Sequence, residues 1–133
     1  MTSDATAVVR AYLDLVAAGD YAAVSDRLDS DVVWFGTRGG LDEAQTVRGP
    51  DACIEYLREI VDPWQRFDFE AERLIDVGDT VVVFLRETAR ARHGDLRVEN
   101  ETAMIFKLRR QKIVEMRGYL DRDEALRAVG ATD

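Results

Sequence analysis

The sequence predicts a single α+β domain in which three N-terminal helices pack over the concave face of a curled antiparallel sheet. Apolar residues recur at helical spacing before Pro63 and alternate with polar residues after it. The alternating segments are long, as in Thr80–Arg92 and Leu96–Arg109, and strands of this length curl. We therefore expect a cone-shaped fold with an interior, formed as one domain over all 133 residues.

Each of the three predicted helices has its own start or stop signal. Asp4 can cap the first helix, and Gly19 ends it. Asp20 can cap a second, short helix. The run Gly49-Pro50-Asp51 opens the third helix, and Pro63 lies just beyond its end.

The predicted sheet contains one early strand and four later strands. Asp31–Gly36 is rich in valine and aromatic residues, and the polar segment Thr37–Thr46 after it predicts a loop or an irregular hairpin. After Pro63 the alternating segments predict an antiparallel meander, which the early strand joins. Its strands are the segment from Phe67 to Asp76, Thr80–Arg92, Leu96–Arg109 and Lys112–Leu120. Asp121 can cap a final short helix.

Composition excludes several classes of partner. A net charge of −8 disfavours nucleic acid, and no apolar run reaches the roughly 18 residues of a membrane span. The N-terminus lacks the features of a secretory signal, and one cysteine, Cys53, suits the cytoplasm. A single histidine, His93, and no clustered cysteines argue against a metal site.

The alternation within each strand predicts which side chains face the interior. One row carries Phe84, Arg86 and Thr88, and the facing rows contribute aromatic, polar and sulfur-containing residues. The predicted pocket walls are Trp34, Phe67, Phe69, Phe84, Thr88, Asn100, Thr102, Met104, Met116 and Gly118. The opposite face mixes aliphatic and charged residues, which favours homodimerisation through the outer sheet face; the alternative is an ordinary amphipathic surface.

A series of short segments, in this order and spacing, carries a resemblance to a known family. They are Tyr12-Leu-Asp-Leu-Val-Ala-Ala-Gly-Asp20, Asp31-Val-Val-Trp34, Val47-Arg-Gly-Pro-Asp-Ala-Cys-Ile54, Val77-Gly-Asp-Thr-Val81, Lys112-Ile-Val-Glu115 and Tyr119-Leu-Asp121. The chain resembles the nuclear-transport-factor-like superfamily, in its SnoaL-like branch of polyketide cyclases, ketosteroid isomerases and limonene epoxide hydrolases. The resemblance implies a cystatin-like α+β barrel with a small-molecule pocket. This superfamily contains both enzymes and non-catalytic binders, so the fold alone does not give the function.

The ketosteroid-isomerase pattern is only partly present. Tyr12 matches the tyrosine that donates to the oxyanion. The general base of that pattern would fall at Gly36, and its second donor would fall at Met104. Of the three catalytic groups in that pattern, the resemblance therefore places only the tyrosine in this chain.

The epoxide-hydrolase pattern is also incomplete. Arg86 matches the arginine of the catalytic strand. The two aspartates of that pattern are replaced by Thr88 and Gly118. No carboxylate at these positions can activate a water.

Two hypotheses follow for the function. In the first, Arg86 and Tyr12, with Asn100, stabilise an enolate-like or carboxylate oxygen during an isomerase, cyclase or hydrolase reaction. The substrate is then a largely apolar or anionic molecule of polyketide, terpene or steroid type, and no cofactor is needed. In the second, the chain is a non-catalytic ligand-binding or dimerisation module: Arg86 pairs with a nearby carboxylate, and Tyr12 is a core residue.

Overall fold

The computed structural model describes residues 4–131, which form four helices and six strands. In chain order the elements are α1 (Asp4–Ala18), α2 (Tyr21–Asp26), β1 (Leu28–Arg38), β2 (Thr46–Arg48), α3 (Pro50–Val61), β3 (Trp64–Val77), β4 (Thr80–Ala91), β5 (Arg97–Arg109), β6 (Lys112–Tyr119) and α4 (Arg122–Ala128). The predicted single domain over residues 1–133 also includes residues 1–3 and 132–133, which lie outside this description. None of the helices within residues 4–131 is long and apolar enough to cross a membrane.

Three of the predicted helix boundaries are confirmed by local hydrogen bonds and backbone angles, whereas Asp4, predicted as a cap, is the first residue of α1 itself. Gly19 ends α1 with a φ of 72°, a left-handed conformation that glycine adopts without steric cost. The Asp20 side chain caps α2 by accepting from the Ala23 backbone N–H at 3.2 Å. Asp121 caps α4 in the same way, accepting from Asp123 at 2.9 Å. These caps fix where the helices meet the sheet.

The strands form one open sheet in the order β2-β1-β6-β5-β4-β3. The antiparallel meander β3–β6 is as predicted. However, β1 pairs with β6 in parallel, placing Trp34 opposite Met116, so the sheet is not wholly antiparallel. Because β2 and β3 remain edge strands, the sheet does not close into the expected barrel. The predicted α+β architecture is otherwise confirmed.

Helices cover both faces of the sheet. On the inner face, α1–α3 pack against Val81, Val83, Leu85, Phe106 and Met116. On the outer face, α4 packs against Val82, Phe84, Ala103, Ile105 and Tyr119 through Ala125 and Leu126. Every residue from Val81 to Leu85 is therefore buried, although successive side chains point to opposite faces.

The predicted orientation of β4 is wrong. Val83 pairs with Met104 and Leu85 with Thr102, so these residues share the inner face. Phe84, Arg86 and Thr88 consequently point outward, on the side covered in part by α4. The physical reason is that α4 supplies a second apolar environment, which makes the two faces of β4 equally hydrophobic between Val81 and Leu85.

Candidate functional site

A hollow lies between the helices and the inner face of the sheet, and it has two adjoining lobes. The apolar lobe, of about 300 Å³, is walled by side chains of α1, α3 and β3 that include Tyr12, Leu13, Val16, Leu57, Val61, Phe67 and Phe69. The polar lobe, of about 200 Å³, is walled by Thr37, Asp42, Asn100, Thr102, Gly118 and Leu120 among others. Residues that line both lobes are Trp34, Ile60, Leu85, Glu87 and Met104.

Glu87 is the titratable side chain at the junction of the two lobes. Its strand partners are Phe69 on one side and Asn100 on the other. The Thr102 hydroxyl donates to its Oε1 atom at 3.2 Å, and no described residue forms an ion pair with it. Burial raises the pKa of Glu87, and the hydrogen bond from Thr102 opposes this rise only in part. A carboxyl group with this environment is suited to exchange a proton with a bound molecule.

A second carboxylate, Asp42, reaches the polar lobe from the loop at residues 39–45. The Tyr56 hydroxyl of α3 donates to Asp42 Oδ2, and the Tyr56 ring packs edge-on against Trp34 at 4.8 Å between centroids. Burial raises the pKa of Tyr56, and the hydrogen bond to Asp42 adds to this rise. Asp42 is thus held in the wall of the polar lobe by a hydroxyl that stays protonated.

Two glycines allow this loop to lie against the sheet. A Cβ atom at Gly36 would lie 1.7 Å from the carbonyl oxygen of Asp42, so no other residue fits there without moving the loop. The backbone N–H of Gly36 also donates to Gln45 O at 2.8 Å. At Gly118 a Cβ would meet the Thr37 hydroxyl at 3.0 Å. The space that the resemblance assigns to carboxylates at these two positions is therefore occupied by the loop and by Thr37.

Tyr12 of α1 lines the apolar lobe and is only 4% exposed. Its ring packs edge-on against Phe106 at 5.5 Å between centroids. The hydroxyl has no hydrogen-bond partner among residues 4–131, and no fully buried polar side-chain atom there is unpaired, so this hydroxyl is open to the lobe. Burial raises the pKa of Tyr12, which keeps the hydroxyl a donor at neutral pH. Burial also raises the pKa of the neighbouring Cys53 thiol to about 11.

Arg86 lies on the outer face, in a cluster of opposite charges. Its guanidinium binds Glu99 at 2.9 Å, Glu101 at 3.0 Å and Glu72 at 3.2 Å. Arg122, at the start of α4, binds Glu72 at 2.7 Å. The hydrogen bonds from Arg122 and Arg86 lower the pKa of Glu72. Arg86 therefore pairs with nearby carboxylates, as the second of the two hypotheses expects, and its side chain lines neither lobe.

The structure brings together most of the sequence-predicted pocket residues. Trp34, Phe67, Phe69 and Met104 line the apolar lobe with Tyr12, whereas Asn100, Thr102 and Gly118 line the polar lobe. Met116 is fully buried in the core, and Phe84, Arg86 and Thr88 lie across the sheet. Within residues 4–131, no group of three or more His, Cys, Asp or Glu side chains is placed to hold a metal ion.

Sequence reasoning missed Glu87 and Asp42, the two carboxylates that line the polar lobe. Glu87 was recoverable from the strand register, since Val83 and Met104 must share a face once the β4–β5 hairpin is aligned. Asp42 lies in an irregular loop, and no periodic pattern indicates where its side chain points.

Comparisons with known proteins agree with the fold. Residues 9–116 match the SnoaL-like domain. Among solved structures, an LEH-like epoxide hydrolase from M. tuberculosis is 22% identical, with a TM-score of 0.73 over 96% of this chain and 90% of that one. A Shewanella putrefaciens protein assigned as a SnoaL-like polyketide cyclase is 15% identical, with a TM-score of 0.76 over 90% of each chain. At these identities the likeness concerns the fold.

A third solved structure extends the same likeness. It is a Catenulispora acidiphila protein with a ketosteroid isomerase-like fold, in complex with trimethylamine. It is 12% identical, with a TM-score of 0.74 over 94% of this chain and 93% of that one. A comparison with the curated proteins gives no match.

Proposed function

Because the chain belongs to the family of SnoaL-like domains, we propose that it is a small-molecule enzyme in which Glu87 moves a proton within a largely apolar substrate. The reaction class is isomerisation, cyclisation or a related step through an oxyanion, on a polyketide-, terpene- or steroid-like molecule. The single observation that carries this proposal is the position of Glu87, which is half-buried at the junction of both lobes and has no cationic partner among the described residues.

The mechanism uses the side chains of the hollow itself. Ionised Glu87 takes a proton from a carbon beside a substrate carbonyl; the C–H electron pair moves into an enolate, and the same carboxyl group returns the proton at another atom. Neutral donors stabilise the developing oxygen charge, and the hollow offers the Asn100 amide in the polar lobe and the open Tyr12 hydroxyl in the apolar lobe. In this mechanism Glu87, not Arg86, is the group that transfers the proton.

The charge of the hollow disfavours an anionic ligand. No described arginine or lysine lines either lobe, whereas Glu87 and Asp42 do. An anionic ligand would therefore be buried without a counterion, which is costly. We infer a ligand with an apolar body in the apolar lobe and one polar end near Asn100 and Thr102.

A non-catalytic ligand-binding module is the second candidate function. The observation that favours it is the absence of carboxylates at Gly36 and Gly118, where the space is filled by backbone and by Thr37. A binder needs the two lobes and their donors but has no use for proton transfer.

Two further predictions concern the state of the protein in the cell. The cytoplasmic location stays a prediction from the sequence. For a homodimer through the outer sheet face, α4 already covers Phe84 and Tyr119, so the contact would use the region near β1 and β6, where Arg117 stacks on Phe35 at 4.2 Å. Sedimentation equilibrium of the parent and of Phe35→Glu tests this interface: a dimer that the variant disrupts supports it, and a monomeric parent contradicts it.

The test of the enzyme proposal does not require the natural substrate. A panel of neutral cyclic ketones is incubated with the protein in deuterium oxide, and exchange of the protons beside the carbonyl is followed by NMR. We expect exchange with the parent and its loss in Glu87→Gln, while the variant still binds the same ketones. If ketones bind but no exchange depends on Glu87, the chain is a binding module.

A further inference from the structure

Three arginines lie side by side on the outer face, at the end of the sheet farthest from β1. Arg66 of β3 pairs with Arg90 of β4, and Arg90 pairs with Arg97 of β5, so the three side chains form one row across three strands. We call this set the arginine row. Together with Thr88 and Asp68 it lines a groove of about 330 Å³.

The carboxylates near the arginine row are already engaged elsewhere. Asp68 accepts from Arg66 Nε at 2.5 Å, which neutralises one of the three positive charges. Glu99, beside Thr88 on the neighbouring strand, binds Arg86 at 2.9 Å. Arg90 and Arg97 form no ion pair or side-chain hydrogen bond with any residue of the range 4–131. The groove thus carries three positive charges and one negative charge in a chain whose net charge is −8.

The fold does not account for this arrangement. Like charges directly opposite each other on neighbouring strands destabilise a sheet, and neither Arg90 nor Arg97 packs in the two apolar cores. Guanidinium groups present paired N–H donors in a geometry that matches the oxygens of phosphate and carboxylate groups. An oxyanion in the groove would bridge the guanidinium groups and so relieve their mutual repulsion. The Thr88 hydroxyl would add a neutral donor.

We propose that the arginine row and Thr88 form a binding site for a phosphate-type oxyanion. The site is independent of the hollow and of the function proposed for Glu87, because the three arginines and Thr88 line neither lobe, and Asp68 alone borders both the groove and the apolar lobe. Phosphate presents three or four acceptor oxygens, enough for Arg90, Arg97 and the free N–H groups of Arg66.

The experiment titrates inorganic phosphate, and in parallel phenyl phosphate, into the protein while sodium chloride keeps the ionic strength constant. Binding is followed through the NMR signals of the arginine Nε–H groups. We expect saturable shifts in the parent and about tenfold weaker binding in Arg90→Gln and in Arg97→Gln, since a charge-assisted hydrogen bond contributes enough for such a loss. Arg10→Gln is the matched control, because it removes the same charge from an exposed position on α1.

The outcomes separate a site from general charge attraction. Saturable binding of either phosphate supports the proposal, and tighter binding of phenyl phosphate identifies a phosphate monoester as the source of the oxyanion. Shifts that do not saturate, or equal weakening by Arg10→Gln, would overturn it. The proposal is also wrong if phosphate does not bind while Arg97→Gln changes the sedimentation of the protein, since the arginine row would then contact a second copy.

Discussion

Arg86 and Glu87 are consecutive residues of β4, yet their surroundings are opposite. Arg86 points outward and is bound by three carboxylates, whereas Glu87 points into the hollow and is bound by one hydroxyl. A charge whose partners all come from the same sheet holds that sheet together. A carboxyl group that burial has left without a counterion retains the ability to react with a guest molecule. Under the function proposed for Glu87, one face of the sheet is held by ion pairs and the other faces the substrate.

The largest expected effect concerns the inner carboxylate. Glu87→Gln keeps the size and the hydrogen bond to Thr102 but removes the transferable proton, so ketone exchange should fall by about 10² to 10⁴. Glu101→Gln is the control, since it removes a carboxylate from the outer face. NMR exchange rates measure both. Equal losses in the two variants would show that exchange does not depend on the inner face.

Phe84 and Leu85, which precede Arg86 and Glu87 in β4, also pack on opposite faces of the sheet. Phe84→Ala should lower the free energy of unfolding by about 3 to 5 kcal/mol, because it removes a buried ring that packs on the outer core and under Arg122. Leu85→Ala should cost less, about 2 kcal/mol, since its side chain borders existing space. Urea denaturation measures both.

The same two variants differ in what they do to the hollow. An apolar fluorescent probe should bind Phe84→Ala as it binds the parent, whereas its affinity for Leu85→Ala should change because the lobe is larger. If Phe84→Ala alters probe binding as much as Leu85→Ala does, the two faces are not separate.

The pH dependence of stability should identify Glu87 as the residue with the raised pKa. In the folded state it holds its proton at pH values where the unfolded chain, with an ordinary glutamate pKa of about 4.3, has released it. Its contribution to stability is therefore full below the unfolded pKa and is lost as pH rises through the folded pKa. Relative to the parent, Glu87→Gln should gain stability from acid to neutral pH.

Urea denaturation of the parent and of Glu87→Gln across this pH range gives the difference directly, because the contributions of the other carboxylates cancel. A difference that stays constant with pH, or that favours the parent at neutral pH, contradicts the assignment.

The smallest effect is expected for the outer cation. Arg86→Gln leaves Glu99 and Glu101 without their partner and should lower the free energy of unfolding slightly, because the cluster is partly exposed to solvent. The loss should shrink in 1 M sodium chloride, where screening weakens such pairs. Ketone exchange should be unchanged. A large loss of exchange with intact stability would return a catalytic role to Arg86.

The sequence was sufficient for the order of the elements except for the three-residue strand β2. Period, caps and turn residues predicted the three helices, the meander and the helix after Asp121, because each depends on a local signal. The parallel pairing of β1 with β6 was not predicted, since strand partners far apart in the chain leave no local pattern.

The site was only partly predictable, for a reason that lies in β4. Alternation identifies two faces, and hydrophobicity normally shows which one is buried; between Val81 and Leu85 both are buried, so the choice is undetermined. The facing strand was assigned correctly, with Thr102 and Met104 inside. Because Val83 pairs with Met104, both lie on the inner face of the sheet, and Glu87 lies on the same face of β4 as Val83. This pairing would have identified Glu87 as a residue of the hollow.

The two lobes are built from different parts of the chain. Helices α1 and α3 supply much of the apolar lobe, while the loop at residues 39–45 and the ends of β5 and β6 supply much of the polar lobe. A surface loop tolerates substitutions that a packed helix does not. Changes at a few loop positions can therefore alter which polar group the polar lobe accepts while the packed walls of the apolar lobe stay the same.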